Sequence, residues 1–472
     1  DDYLKRMAAE HAGDDAALAT EFATTYLRLG EMQGATPEAI ASFENGRQLL
    51  ERKRGRGATR PADLLVLARL RVRAGSTLMD LGRTTEAVES LLAASSLAGS
   101  LQPAIGWNAE AELVKALADW RLARLYRTQY RLQEAGEFAN RAVNACEEMR
   151  QRGVNNKELY EIVDGARLVL GGVLRRQGDW GKSVEMYQKV LADIERRAAE
   201  DPSSAGLQRE LARIHQIMGD IFCRTPGHAQ EVKLHVRSAI AITERLAALD
   251  PWDKTAQSEW AQCLSTGAES LNNPEDSAEA VGYLRRALPI FDVLLKGEPD
   301  NSVFRLYFGL TEADLGDQLT RRNPSRESIQ WMRRGMADLA KLVASDPHNT
   351  THVVELLKVH RMMAAGLALA GQENEALAVA REAIGQARSL AGDAGSRQEL
   401  LRRELPRAYV SMASACKVLG KREEAGKWYR MAMGEWDGMR SEGLLSPDTE
   451  LEIRDSRKGM ATVFSSARVP GR

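Results

Sequence analysis

The sequence lacks most of what would let it do chemistry. Its 472 residues include four cysteines, Cys146, Cys223, Cys263 and Cys416, with no CxxC pair and no zinc-ligand spacing. Each falls inside a helical pattern, where a lone cysteine reads as a small buried hydrophobe. No run approaches the roughly 20 apolar residues that cross a bilayer, so no stretch is expected to insert directly into a membrane. Neither sign of charge prevails: Lys plus Arg number 65, Asp plus Glu 66, and the net charge is -1. That balance argues against nucleic acid as a partner held through bulk charge. There is no GxGxxG, P-loop, GxSxG or HExxH, so the chain reads as non-catalytic and free of cofactors. His348 and His352 stand four apart, but no third ligand accompanies them and no metal is expected. His360, near Arg361, reads as polar lining or part of the core. The chain begins Asp1-Asp2-Tyr3 without a signal or lipidation motif, which suggests a processed chain or a piece of a longer one. Nothing in it sets the compartment.

What the sequence does contain is a repeat, and repeats are sought before local structure is assigned. The series Ala39, Ala87, Ala135, Ser183, Val232, Ala280, Ser328, Ala376, Ala425 advances by 48 or 49 residues at every step. Seven residues after each comes Gly46, Ala94, Ala142, Val190, Ala239, Ala287, Gly335, Ala383 and Ala432. A third series precedes them: Gly75, Ala123, Gly171, Gly219, Gly267, Gly316, Ala364 and Ala413, with Ala23 assigned to that place in the first unit. Small residues recur because two helices approach closely only where side chains leave room. Larger ones fill the seam, as Phe43, Leu91, Tyr187, Leu284, Met332 and Tyr429 do four residues after the first series.

This pattern resembles the tetratricopeptide repeat, with a small residue, a bulky one three later, a turn, then A-x3-F. Leu170-Gly171 with Leu174, Gly178, Ser183 and Tyr187 carries it, as do Ala413, Cys416, Gly420, Ala425 and Tyr429. The resemblance implies an all-α fold, an α-solenoid wound as a right-handed superhelix of about nine helix pairs. The standard unit has 34 residues and this one 48, so each helix gains about two turns and reaches about 20 residues, near 30 Å. Pro202, Pro251, Pro299 and Pro347, each after an acidic residue, mark turns between units. Gly30, Gly82, Gly178, Gly371 and Gly420 mark turns within them. Residues 14–445 are thus read as the array and 1–13 as an incoming helix or linker. The segment 446–472 is read as a capping helix and tail, opening at Ser446-Pro447-Asp448.

Leu18 to Gly34, with its phrase Tyr26-Leu27-Arg28-Leu29-Gly30-Glu31-Met32-Gln33-Gly34, resembles the first repeat unit in the C-terminal region of bacterial eukaryotic-like serine/threonine protein kinases. The segment Tyr3 to Glu10 and the junction Asp201 to Ala212 are also similar to that family. The resemblance implies a sensor or docking arm beyond a membrane helix, whose kinase domain would lie outside this sequence. A repeat tail on a transcription regulator is the alternative.

In repeats of this type the groove is lined from the first helix of each unit, at positions six and three before the small residue and one, four and five after it. Across nine units these positions hold thirteen basic residues: Arg28, Arg69, Arg124, Arg127, Arg175, Arg176, Arg213, Arg224, Arg321, Lys358, Arg361, Arg407 and Lys417. Three acids join them, Asp80, Asp220 and Asp317, together with Trp120 and Gln216. The expected function is therefore a protein–protein interaction scaffold with a basic groove for an acidic peptide, arginine being suited to carboxylate. The second expectation is self-association, one copy filling the groove of another.

Overall fold

The computed structural model describes residues 16–55, 60–101, 106–225, 227–392 and 398–465. The incoming segment expected at 1–13 lies outside the described residues. The chain divides into two compact units, residues 1–175 with 179–190, and residues 176–178 with 191–472. In the first, α1 (Ala16–Gln33) pairs with α2 (Pro37–Gly55), α3 (Pro61–Asp80) with α4 (Thr84–Gly99), and α5 (Ala109–Thr128) with α6 (Leu132–Gln151). Then come α7 (Lys157–Arg176) and α8 (Trp180–Glu200), the helix within which the division falls. In the second unit the pairs are α9 (Ala205–Cys223) with α10 (Ala229–Leu249), α11 (Lys254–Ser270) with α12 (Ser277–Gly297), and α13 (Ser302–Arg322) with α14 (Arg326–Ser345). They continue with α15 (Thr350–Leu369) and α16 (Glu373–Gly392), then α17 (Glu404–Val418) and α18 (Arg422–Ser441), and end on α19 (Pro447–Ser465). No strand occurs among the described residues. The architecture is the repeated helix-pair solenoid that the periodicity predicts.

Four of the turns between repeats, at Pro202, Pro251, Pro299 and Pro347, follow one recipe. An acid and a proline end a second helix, and two residues later a side chain caps the next first helix. Ser204 accepts from the amide of Leu207, Asp253 from Thr255 and Ala256, Asn301 from Val303 and Phe304, and Asn349 from His352. Each cap satisfies amides that the first helical turn leaves without partners. Within pairs, Gly82, Gly178, Gly371 and Gly420 adopt φ of +75°, +83°, +72° and +77°, the left-handed conformation of a helix C′ residue.

The three small-residue series are where paired helices meet. A Cβ on Gly316 of α13 would stand 2.6 Å from the carbonyl oxygen of Ser328 and 2.7 Å from the amide nitrogen of Met332 on α14. In the first unit Ser183 Oγ donates to the carbonyl of Gly171 at 2.8 Å. The first pair corrects two expectations. Gly30 is not a turn residue; it lies inside α1 against the ring of Phe43, as Gly75 lies against Leu91 and Gly316 against Met332. Gly30, not Ala23, therefore holds the third-series place. The turn glycine of this pair is Gly34, at φ +69°. The lining register of the first unit shifts with it: Glu31 replaces Arg28, and Arg28 is simply exposed.

Successive second helices of the second unit are joined by a ladder that the sequence reading did not anticipate. Arg237, Arg285 and Arg333 reach Glu279, Glu327 and Glu375 at 2.8, 3.9 and 2.5 Å. Both series advance by 48 residues, so each rung spans 42. At the end of the array α19 lays buried Ile453 against Trp436 and Met439 of α18, and buried Val463 joins the cluster around Tyr429. It thereby covers the apolar seam that a terminal pair would otherwise expose.

Gly316→Val should cost about 3 kcal/mol, because backbone rather than a movable side chain meets the added atoms. Gly434→Ala, where a methyl meets only open space, should add about 0.5 kcal/mol by restricting the unfolded chain. Urea unfolding midpoints check both; a neutral Gly316→Val would refute the close approach.

Candidate functional site

The first helices of each unit carry the expected lining positions, and the two units treat charge differently. In the first, Trp120 of α5 lies half-buried with its ring against Gly165 of α7, at a place any side chain on Gly165 would fill. The Arg121 guanidinium stands 4.6 Å from the ring centroid and that of Arg124 5.7 Å, both within cation–π range. No described carboxylate lies within 4 Å of either guanidinium. Trp120 Nε1 and Arg121 Nε are buried and find no hydrogen-bond partner among the described residues. Burial first, then the like charges of Arg124 and Arg73, lower the Arg121 pKa, with Asp80 and Glu161 opposing. Arg127 is exposed one turn further on and passes over Gly172 of α7. Arg69 is spent on Glu110 of α5. Arg73 pairs with Glu31 at 2.8 Å and reaches Glu158 of α7 at 3.7 Å. Arg175 is half-buried at the end of α7.

In the second unit Arg176 is also half-buried and Arg213 is exposed. Gln216 Nε2 donates to Thr266 Oγ1 of α11 at 3.5 Å. The remaining candidates are engaged by acids or by α19. Arg224 pairs with Asp220 and Arg321 with Asp317, each at 2.8 Å. Lys358 reaches Glu269 at 2.9 Å and Asp314 at 3.8 Å. Arg361 of α15 and Arg407 of α17 converge on Glu404 at 2.5 and 2.6 Å, and Glu404 is 0% exposed. Arg407 also donates through Nε to Glu452 of α19 at 2.8 Å, and Lys417 donates to Thr462 at 2.7 Å. Burial works to raise the Glu404 carboxyl, but Arg361 and Arg407 overcome it and hold it below the usual range. His352 and His360 are buried in α15, His360 in the core rather than on the lining.

Arg73, Arg121, Asp314, Glu355 and Glu404 were missed by sequence reasoning for one reason. The 34-residue template has no lining position two or nine residues before the small residue. Arg73, Arg121 and Asp314 hold the first of these, Glu355 and Glu404 the second. The longer helices add the second of these; the first lies within the template's own span, three residues before its +1 position and four after its −6 position, where it shares their face.

With this geometry in hand, the chain can be set beside known proteins. Tetratricopeptide-repeat family models match residues 68–100 and 166–202, the α3–α4 and α7–α8 hairpins. No curated protein matches the chain. The apo form of the quorum sensor NprR from B. thuringiensis is similar in structure, with TM-score 0.51 and 13% identity, covering 90% of this chain and 99% of that one. A Rap protein complexed with Competence and Sporulation Factor gives TM-score 0.46 at 13% identity, over 89% and 99%. RapI in its apo form gives 0.45 at 13%, over 79% and 99%. At these identities the NprR likeness speaks to the fold, a tetratricopeptide-type helical solenoid. Nothing in these comparisons links the chain to protein kinases.

Glu404→Gln should destabilise the second unit by about 3 kcal/mol at pH 7, since two half-buried guanidinium groups lose their shared buried carboxylate. The Glu404 carboxyl sits below its ordinary value of 4.5, so its contribution is present above that pH and is lost as pH falls below it. The gap between wild type and variant in urea titrations should therefore close as pH falls below about 4.5; a gap independent of pH would show that Glu404 acts through packing.

Proposed function

We propose that the chain is a non-catalytic interaction scaffold whose first-unit face receives an acidic segment of a protein partner. The observation that supports this most is the pairing state of Arg121 and Arg124 beside Trp120. These guanidinium groups have lost part of their hydration without gaining a carboxylate. An incoming Asp or Glu would be held by charge-assisted, fork-shaped hydrogen bonds. The Trp120 ring, fixed over Gly165, supplies the flat anchor typical of interface hot spots. Arg127 and Arg175 extend the same basic strip. The cations of the second unit add little, because Arg321, Lys358, Arg361 and Arg407 already face carboxylates.

The signalling setting belongs to the same proposal. Its support is the similarity of Leu18 to Gly34 to the repeat region of bacterial serine/threonine kinases, which would place this arm outside the cytoplasmic membrane. The genomic sequence upstream of Asp1 checks it: a kinase domain followed by a membrane helix is the expected finding, and a different output domain would reject it.

Binding is tested by fluorescence anisotropy with a labelled glutamate-rich decapeptide. Arg121→Glu with Arg124→Glu should weaken binding by about a hundredfold, two charge-assisted contacts being lost, and salt should weaken the wild type. Unchanged affinity in a folded double variant overturns the reading. Concentration-dependent mass in light scattering, without peptide binding, would favour a second copy of the chain as the occupant.

A further inference from the structure

The second unit holds a cavity of about 190 Å³ between α11, α12, α13 and α15. It is smaller than the roughly 300–1,000 Å³ of sites that take whole small molecules, and suits one long side chain. Ala268, Leu284 and Met362 give it apolar walls, while Glu269, Asp314, Asp317, Arg321, Lys358 and Arg361 supply charge. The charges do not balance locally. Arg361 is drawn away to Glu404, and Arg321 lies on Asp317. One ammonium, that of Lys358, is left to serve Glu269 at 2.9 Å and Asp314 at 3.8 Å. Among the described residues no other cation lies within 4 Å of either carboxylate. The carboxyl of Glu355 adds to the same field. Burial raises the Asp314 carboxyl above its usual range and Lys358 only partly offsets it, which is consistent with too little positive charge here.

We infer that this cavity receives a lysine or arginine side chain of the partner protein. The alkyl stem would lie on Leu284 and Met362, as such stems do on apolar surface, and the cationic head would meet Asp314 and Glu269. Lys358 is the resident stand-in for that head and is displaced from Asp314 when the ligand enters. The inference rests on the chain being a peptide-binding scaffold, but not on the basic strip of the first unit.

The probes are capped alanine heptapeptides carrying a central arginine or a central norleucine, with binding to the full chain followed by NMR line broadening. The arginine peptide should bind about tenfold more tightly. Asp314→Asn with Glu269→Gln should erase that preference. Lys358→Met should strengthen it, a gain that loss of a merely structural pair would not produce. Equal binding of the two peptides by wild type and by Lys358→Met overturns the inference. If the glutamate-rich decapeptide still binds in an Arg124-dependent way, the scaffold reading survives that failure.

Discussion

The approach of one helix backbone to another at small residues sets everything else in this molecule. Gly335 of α14 sits on the carbonyl of Gly309 and the amide of Ala313 in α13, and Gly316 sits on Ser328 and Met332 in return. These two contacts fix both the distance between the axes of α13 and α14 and their relative height. Once height is fixed, a given offset from the small residue points to the same place in every unit. The lining positions, the Arg–Glu ladder and the turn recipe all follow from that one constraint. It also explains why the seam residues vary among Phe, Leu, Tyr and Met while the small ones hold their register. A side chain can repack, but a backbone cannot be moved aside.

What the sequence made legible is what that constraint writes into it at fixed intervals. The spacing of 48 residues, the pairing of helices, the longer helices and the proline-marked turns could all be read, because each needs a particular residue type at a particular place. The first pair was misread where the interval itself changes. Gly30 precedes Ala39 by nine residues, whereas Gly75 precedes Ala87 by 12. Counting 12 back from Ala39 falls on Leu27, which is not small, and allowing for a turn lengthened by Glu31 to Gly34 moved the assignment to Ala23, 16 back. Only the contact with Phe43 shows which residue fills the role, and that contact is tertiary.

Charge was less legible than shape. Counting lining positions from a shorter template gave thirteen cations against three acids, an excess of one sign. The structure splits it. Asp314 and Glu404 stand at positions the template does not contain, and they lie 44 and 43 residues from Lys358 and Arg361, nearly one repeat away. A pairing at that separation leaves no local mark. It becomes readable only when the unit length is known and the same offset is tested in every unit. The rungs from Arg237, Arg285 and Arg333 show that such a test succeeds, since each finds its acid 42 residues on.

This distinction bears on recognition. A cation matched by the next repeat's acid is part of the inter-unit joint. Taking it for a ligand means breaking that pair and leaving a buried carboxylate behind, as at Glu404, and the ligand must repay the cost before any affinity appears. A charge that repeat-to-repeat pairing leaves over carries no such penalty, because its desolvation is already part of the folded state. Recognition in a long-helix solenoid therefore depends less on the total charge of its lining than on the residue of charge left after neighbouring units have paired. Here that residue is positive around Trp120 in the first unit. In the second, Glu269 and Asp314 share the single ammonium of Lys358, so on the proposals made above the first face would select an anionic partner group and the second a cationic one.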